Sequence, residues 1–222
     1  MSVTLLGVGV TPLTLGLLFS IPWLAWLGGG LVAGGLCAHI VSFVSSVRHR
    51  HRKLELLHGF LFVSTTFLVV ALLLGGSAAG LPMGPALRTR LVTAEVASLM
   101  AWLSLAVIGH AHKIVPFIVY TALRSRGIRN HPSGRPLLFG DLYRKRPAWV
   151  TLALAGGGFL ALIAGIIGES ESAVASAGLL VATSGLVTTL NLTLSPRLIS
   201  RAASRQDRPL SDLNPDTVIA PT

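Results

Sequence analysis

LVTAEVASLMAWLSLAVIGHAHKIVPFIVYTAL, residues 91–123, decides the class of fold this chain adopts. The stretch is apolar for longer than a bilayer crossing needs, yet it carries Glu95, His110, His112 and Lys113. Wholly helical, it would measure about 50 Å at 1.5 Å per residue, against a hydrocarbon core of about 30 Å. It must tilt, protrude or kink, and Pro116 offers a place for a kink. Arg88 and Arg90 stand before it and Arg124 directly after it.

Five further apolar runs lie on either side, at residues 4–20, 23–47, 57–76, 149–167 and 173–194. Across the 222 residues 52% are hydrophobic and only 12% charged, half the charge of an ordinary soluble domain, so water is not the solvent of most of the chain. The expected fold is an all-α, polytopic integral membrane helix bundle of about six transmembrane helices over residues 1–195. The first run is the shortest and is soon followed by Pro22. It has no Lys or Arg ahead of it, so it reads as a retained helix rather than a cleaved signal. Residues 196–222 turn polar and Pro-containing without periodicity, which predicts a disordered tail.

The net charge of +10 invites a nucleic-acid reading, but the cations sit in loops between apolar runs. Residues 48–53 hold four, 124–146 hold seven and 197–208 hold four, whereas the intervening loops hold Arg88 and Arg90 or none. Rich and poor loops alternate, so the rich ones and both termini are expected on the cytoplasmic side of a cell membrane, as in a multi-pass protein of a bacterial inner membrane. His49 and His51 belong to such a loop. In NHPSGRPLLFGDLYRKRP, residues 130–147, the apolar Leu137, Leu138, Phe139, Leu142 and Tyr143 are expected on the membrane interface, with Arg144, Lys145 and Arg146 on anionic headgroups. The bilayer is the partner the sequence implies, and nucleic acid is not.

Cys37 stands alone in an apolar run, which excludes a disulfide within the chain. Gly30 and Gly34 form a GxxxG, and Gly157, Ala161 and Gly165 a small-residue stripe, both suited to close helix packing in lipid.

Ionisable groups at membrane depth are costly and mark functional sites. At 100° per residue, Glu95, Trp102, Ala106, Gly109, Lys113 and Tyr120 share a stripe expected to face the bundle interior, with His110 beside it and His112 about 160° away from His110. His39 and His110 fall at comparable distances from the basic ends of their helices. Two imidazoles at one depth on facing helices would hold a haem iron axially, with Lys113 on a propionate. Asn191 is placed to hydrogen-bond across helices; its NLT sequon lies in a span and is a chance match. No HExxH, GxSxG, Walker loop or acid-rich metal cluster is present, so hydrolysis and phosphoryl transfer are not indicated and no catalytic residue is assigned.

GHAHKIVPFIVY (109–120), PLLFGDLY (136–143) and NLTLSPR (191–197) together give the chain a resemblance to bacterial membrane proteins similar to haem-copper oxidase subunit I and the NnrS family, over residues 91–197. The resemblance implies a helical scaffold with histidine-ligated haem b, possible copper, and a respiratory-complex or other redox partner. The oxidase subunit carries an HxH pair on one helix, and His110 and His112 stand in a comparable HAH. Six helices are about half of such a subunit, and no separate copper-ligand cluster is evident. The expected function is thus haem binding with an electron-transfer, sensing or oxidase-accessory role. A small-solute or ion transporter lined by Glu95, His110 and Lys113, and a non-catalytic subunit or assembly factor, are the alternatives. Enzymatic activity and oligomeric state are not legible in the sequence.

Overall fold

The computed structural model describes residues 2–49, 56–131 and 133–206. His51 and the rest of the first basic loop, and residues 207–222 of the expected tail, lie outside the described residues. Six helices follow one another: α1 Ser2–Leu18, α2 Pro22–Arg48, α3 Leu56–Gly80, α4 Pro85–Ser125, α5 Lys145–Ile167 and α6 Glu171–Gln206, with one 3₁₀ turn at Phe139–Asp141. The chain is all-α among the described residues, and α2 to α6 are long and apolar enough to cross a membrane. At 17 residues α1 is a helix of about 25 Å, short of a full crossing.

The helices pair as three antiparallel hairpins, α1 with α2, α3 with α4 and α5 with α6, and α4 is the hub that also meets α5 and α6. Its inward stripe is built mostly of small residues: Ala94, Ala97, Ser98, Ala101 and Gly109 are buried together with Leu105. Small side chains let α3 and α5 approach closely where lipid gives no hydrophobic drive to associate. Phe60 and Phe67 of α3 and Phe159 of α5 fill the space between them, the last two edge to face at 6.1 Å. Any side chain at Gly109 would meet the Phe60 Cβ at 2.6 Å, and Phe60 is fully buried. The Ser64 hydroxyl donates to the Trp102 carbonyl at 2.8 Å, which fixes the α3–α4 register.

Close packing of α1 on α2 uses Gly9, Gly16 and Gly28, each pressed on the other helix's backbone. Gly30 and Gly34 face open space, as does Gly157; Gly158 and Gly165 make the approach to α6. The expected GxxxG therefore lies off the packed face, because which glycine faces the partner depends on the hairpin's rotation, which spacing alone does not set. The α1–α2 hairpin meets the other four helices sparingly, Phe43 lying edge to face with Phe62 at 5.5 Å.

α4 resolves its excess length by protruding. The helix is continuous through Pro116 and extends past its junction with the starts of α3 and α5, where Leu56, Leu57 and Tyr143 gather around His112. From there to Ser125 it continues for about 20 Å. Gly127, at φ +83°, ends it: Ile128 N–H returns to Leu123 O at 3.0 Å and Gly127 N–H to Arg124 O at 3.1 Å, the paired bonds of a Schellman stop.

The loop that follows is a folded cap on this protrusion. Leu137 and Leu142 are buried against Leu123, with Val119, Tyr120 and Ile128 packed around them. This corrects the expectation that they lie on the membrane interface: they have a protein core to enter. Tyr143 is also partly buried in the bundle, and Leu138 alone of the five is strongly exposed. At the far end of the chain, α6 stays helical through Gln206, so Pro196 does not end it as a tail beginning there would require.

Candidate functional site

The chemistry-bearing residues of α4 distribute around the helix rather than along one stripe. Gly109 is the only member of the expected inward set that is buried; Glu95, Trp102, Ala106 and Tyr120 are half-buried and Lys113 exposed. The true inward line runs through Ala101, Leu105, Gly109, His112 and Pro116. Small residues rather than polar ones select the inward face, because α3 and α5 pack too closely on α4 to admit long charged side chains.

His112 is the buried histidine among the described residues, 3% exposed. Its ring stacks on Phe60 at 5.4 Å and meets Tyr143 edge to face at 6.2 Å. Nδ1 lies 2.9 Å from the Ile108 carbonyl. A carbonyl only accepts, so Nδ1 carries the proton and Nε2 of the neutral ring is left as an acceptor. That buried Nε2 has no hydrogen-bond partner among the described residues. Beside the ring is a cavity of about 20 Å³ lined by Leu56, Leu57, Lys113, Phe139 and Tyr143, room for about one water. Pro116 has no N–H to return to the His112 carbonyl, so this turn holds a second acceptor outside the helix ladder. Phe60 and Tyr143 are the residues sequence reasoning missed; Pro116 four places after His112 was the signal available.

His110 faces the other way. It is exposed on the outward side of α4, on an open apolar face that Ala106, Val107, Ala111, Ile114 and Val115 of the same helix form around it. Its Nδ1 lies 2.7 Å from the Ala106 carbonyl, so this ring too is fixed as the Nδ1–H tautomer, with Nε2 directed away from its own helix. A second-shell hydrogen bond of this kind orients histidines that ligate metals.

His39 joins neither. Phe60 lies beside Gly109 and Ser64 bonds to Trp102, so Phe62, and with it Phe43, sits near residue 105 of α4. His39, one turn before Phe43, is therefore roughly 10 Å deeper than His110. α2 and α4 share no extended contact among the described residues. Counting from apparent helix ends placed the two at one depth because α4 runs past its neighbours, which the hydropathy profile does not display.

The other polar candidates hold the scaffold. Glu95 lies toward the far end of the bundle with its carboxylate against Gly75 of α3, about 22 Å of helix rise from His110. Nearby, Arg90 pairs with Glu169 at 3.0 Å and donates to the Ile167 carbonyl at the end of α5. Tyr120 accepts a hydrogen bond from Arg124, whose guanidinium lies 5.6 Å from the ring centre. Asn191, 6% exposed, donates to the Arg144 carbonyl and accepts from the Arg144 N–H, both at 3.0 Å, tying α6 to the N-cap of α5. No group of three His, Cys, Asp or Glu is placed to hold a metal ion among the described residues.

In the cap, Arg135 grips Asp141 through two bonds of 2.9 and 2.7 Å, and Asp141 also accepts the Leu138 N–H at 2.9 Å. The Arg135 guanidinium first, then the Leu138 N–H, hold the Asp141 carboxyl below the usual carboxylate range against the opposing effect of burial. A depressed folded pKa means the clasp contributes fully above the ordinary carboxylate pKa and is lost as pH falls through the lower folded value. Amide exchange at Leu138 should therefore lose protection on acidification below about pH 4. Asp141→Asn should show the weaker protection at every pH; equal protection in both proteins throughout would exclude the clasp.

No protein family, curated protein or solved structure matches the chain.

Proposed function

We propose that this is a haem-binding membrane protein whose cofactor docks on the outward face of α4 with His110 Nε2 as an axial ligand. The observation that carries the reading is the state of that imidazole. A histidine facing lipid is costly, and the contact of its Nδ1 with the Ala106 carbonyl leaves Nε2 of this one directed over an apolar face. Iron bound at Nε2 removes that cost. Ala106 and Ala111 leave space beside the ring, and a flat apolar macrocycle could lie along this open face of one helix.

Bound haem supplies one-electron chemistry, and this chain's residues hold and orient it. The positive loops favour a reading in which the basic end, the cap and both termini lie on the cytoplasmic side of a cell membrane, with α1 tilted in as a sixth, short element that inserts with the others. A role in electron transfer, sensing or support of an oxidase follows from this reading.

Full-length protein from haem-supplied cells should show an intense Soret band that shifts on reduction. His110→Ala should lose at least nine-tenths of it, while His112→Ala should keep it if the protein folds. Loss in His112→Ala with retention in His110→Ala would move the ligand to the buried histidine.

A further inference from the structure

Glu95 is a carboxyl inside the bundle that the scaffold accommodates but does not pair. Arg90, five residues before it on α4, donates to the Ile167 carbonyl, so Arg90 stands at the level where α5 ends. The 23 residues of α5 measure about 35 Å, a little more than a hydrocarbon core of about 30 Å. Glu95 therefore lies about 7.5 Å inside that end, beneath the pair of Arg90 with Glu169.

Its carboxyl is seated on Gly75 of α3. A Cβ added there would come within 2.6 Å of the Glu95 Cδ and 2.9 Å of Oε2, whereas one at Gly76 would meet nothing within 4 Å. The seat offers acceptors only. Inside a helix every N–H is already bonded along the ladder, and what remains is the second lone pair of each carbonyl. The side chains add no donor. On the same side of α3 as Gly75 are Ala71, Leu72, Ala78 and Ala79, while Ser77 is turned about 160° away. On α4, Ser98 donates to the Ala94 carbonyl and Thr93 to the Thr89 carbonyl. Among the described residues Glu95 has neither a hydrogen bond nor a counter-ion.

The charged residues at this end of the bundle are Arg88, Arg90, Glu169 and Glu171; the facing halves of α1, α2, α3 and α5 bring none. Arg90 is committed to Glu169, and Arg88 is exposed two turns outward on Glu95's side of α4.

We propose that Glu95 is a proton-binding site, its carboxyl held as the neutral acid on Gly75 and exchanging its proton with the surface at the Arg90 and Glu169 end. The inference does not depend on haem. A carboxylic acid has an O–H to donate to a carbonyl of α3, while a carboxylate only accepts and would be an acceptor among acceptors where ions are poorly solvated. On losing its proton the side chain leaves the seat and turns outward toward Arg88 and water. Proton and side-chain position change together, and the missing side chain at Gly75 makes room for the bound form. A metal cation would need several oxygen ligands in place of one O–H, and neither α3 nor the rest of α4 carries a second acid.

The test uses the full-length protein in lipid vesicles at neutral pH. Dicyclohexylcarbodiimide, an apolar reagent that attacks protonated carboxyls, is added and the labelled peptides are mapped by mass. The carboxyl proton passes to one carbodiimide nitrogen as the carboxyl oxygen bonds to the central carbon, and acyl migration to nitrogen leaves an N-acylurea with no atom lost. Glu95 should be labelled several-fold faster than the exposed Glu169 and Glu171, and its rate should fall as pH rises. Gly75→Ala should cut the labelling of Glu95 several-fold and Gly76→Ala should leave it unchanged, with melting midpoints showing that both variants fold. Infrared difference spectra between wild type and Glu95→Gln should contain the C=O stretch of a carboxylic acid. Labelling of the wild type needs no variant, so it decides even where a variant does not fold. Glu95 labelled no faster than Glu169 and Glu171, or a carboxylate band in place of the acid band, overturns the proton site. Haem-free protein that still labels at Glu95 leaves it standing.

Discussion

Replacing Asn191 with leucine should destabilise the protein by about 3 kcal/mol, which would lower the midpoint of thermal unfolding in detergent by about 5–10 °C. The side chain is 6% exposed and its two bonds are with the backbone N–H and carbonyl of Arg144, the N-cap of α5. Leucine fills a similar volume and can satisfy neither group, and a polar group that loses its partner at such a partly buried junction costs about 1–3 kcal/mol. Asn191→Asp keeps the acceptor but sets a carboxylate against the Arg144 carbonyl, so an intermediate loss is expected. A leucine variant that melts with the wild type would show that water satisfies Arg144 and that the link contributes little.

Gly28→Ala should be the other large effect. A methyl there collides with the backbone of Leu13, and backbone cannot rotate out of the way as a side chain can. The α1–α2 hairpin must separate, at a cost near the upper end of the 1–3 kcal/mol typical of overpacking. Gly30→Ala and Gly34→Ala meet nothing within 4 Å and should be neutral or slightly stabilising through helix propensity. Melting midpoints of the three variants decide the matter; equal losses in all three would mean that Gly30 and Gly34 are also packed.

These two sites mark where sequence reading succeeds and where it stops. Of the six expected spans, the five helices long and apolar enough to cross a membrane were legible because hydropathy is a one-dimensional property, and the length of the run at residues 91–123 announced that α4 could not fit as a simple span. Asn191 was visible as a polar group needing a partner across helices; its partner was not, because the Arg144 backbone is 47 residues away in sequence and looks like any other backbone. The face of α4 was read from its charges, and the bundle instead turned Ala94, Ala97, Ala101 and Gly109 inward. A helix apolar on every side carries almost no moment to reveal its rotation.

The divergence of His110 and His112 was readable from helix geometry, but not which of them faces inward. That choice depends on Phe60 and Tyr143, which come from α3 and from the end of the cap. The folded cap was hidden for a related reason. Leu137 and Leu142 look like interfacial residues until Leu123 and the protruding turn of α4 give them a core.

The most direct test is the reduced-minus-oxidised visible spectrum of the full-length protein from haem-supplied cells, recorded beside that of His110→Ala. The account expects a Soret shift in the wild type that is absent from the folded variant; a wild-type protein with no haem band would contradict it.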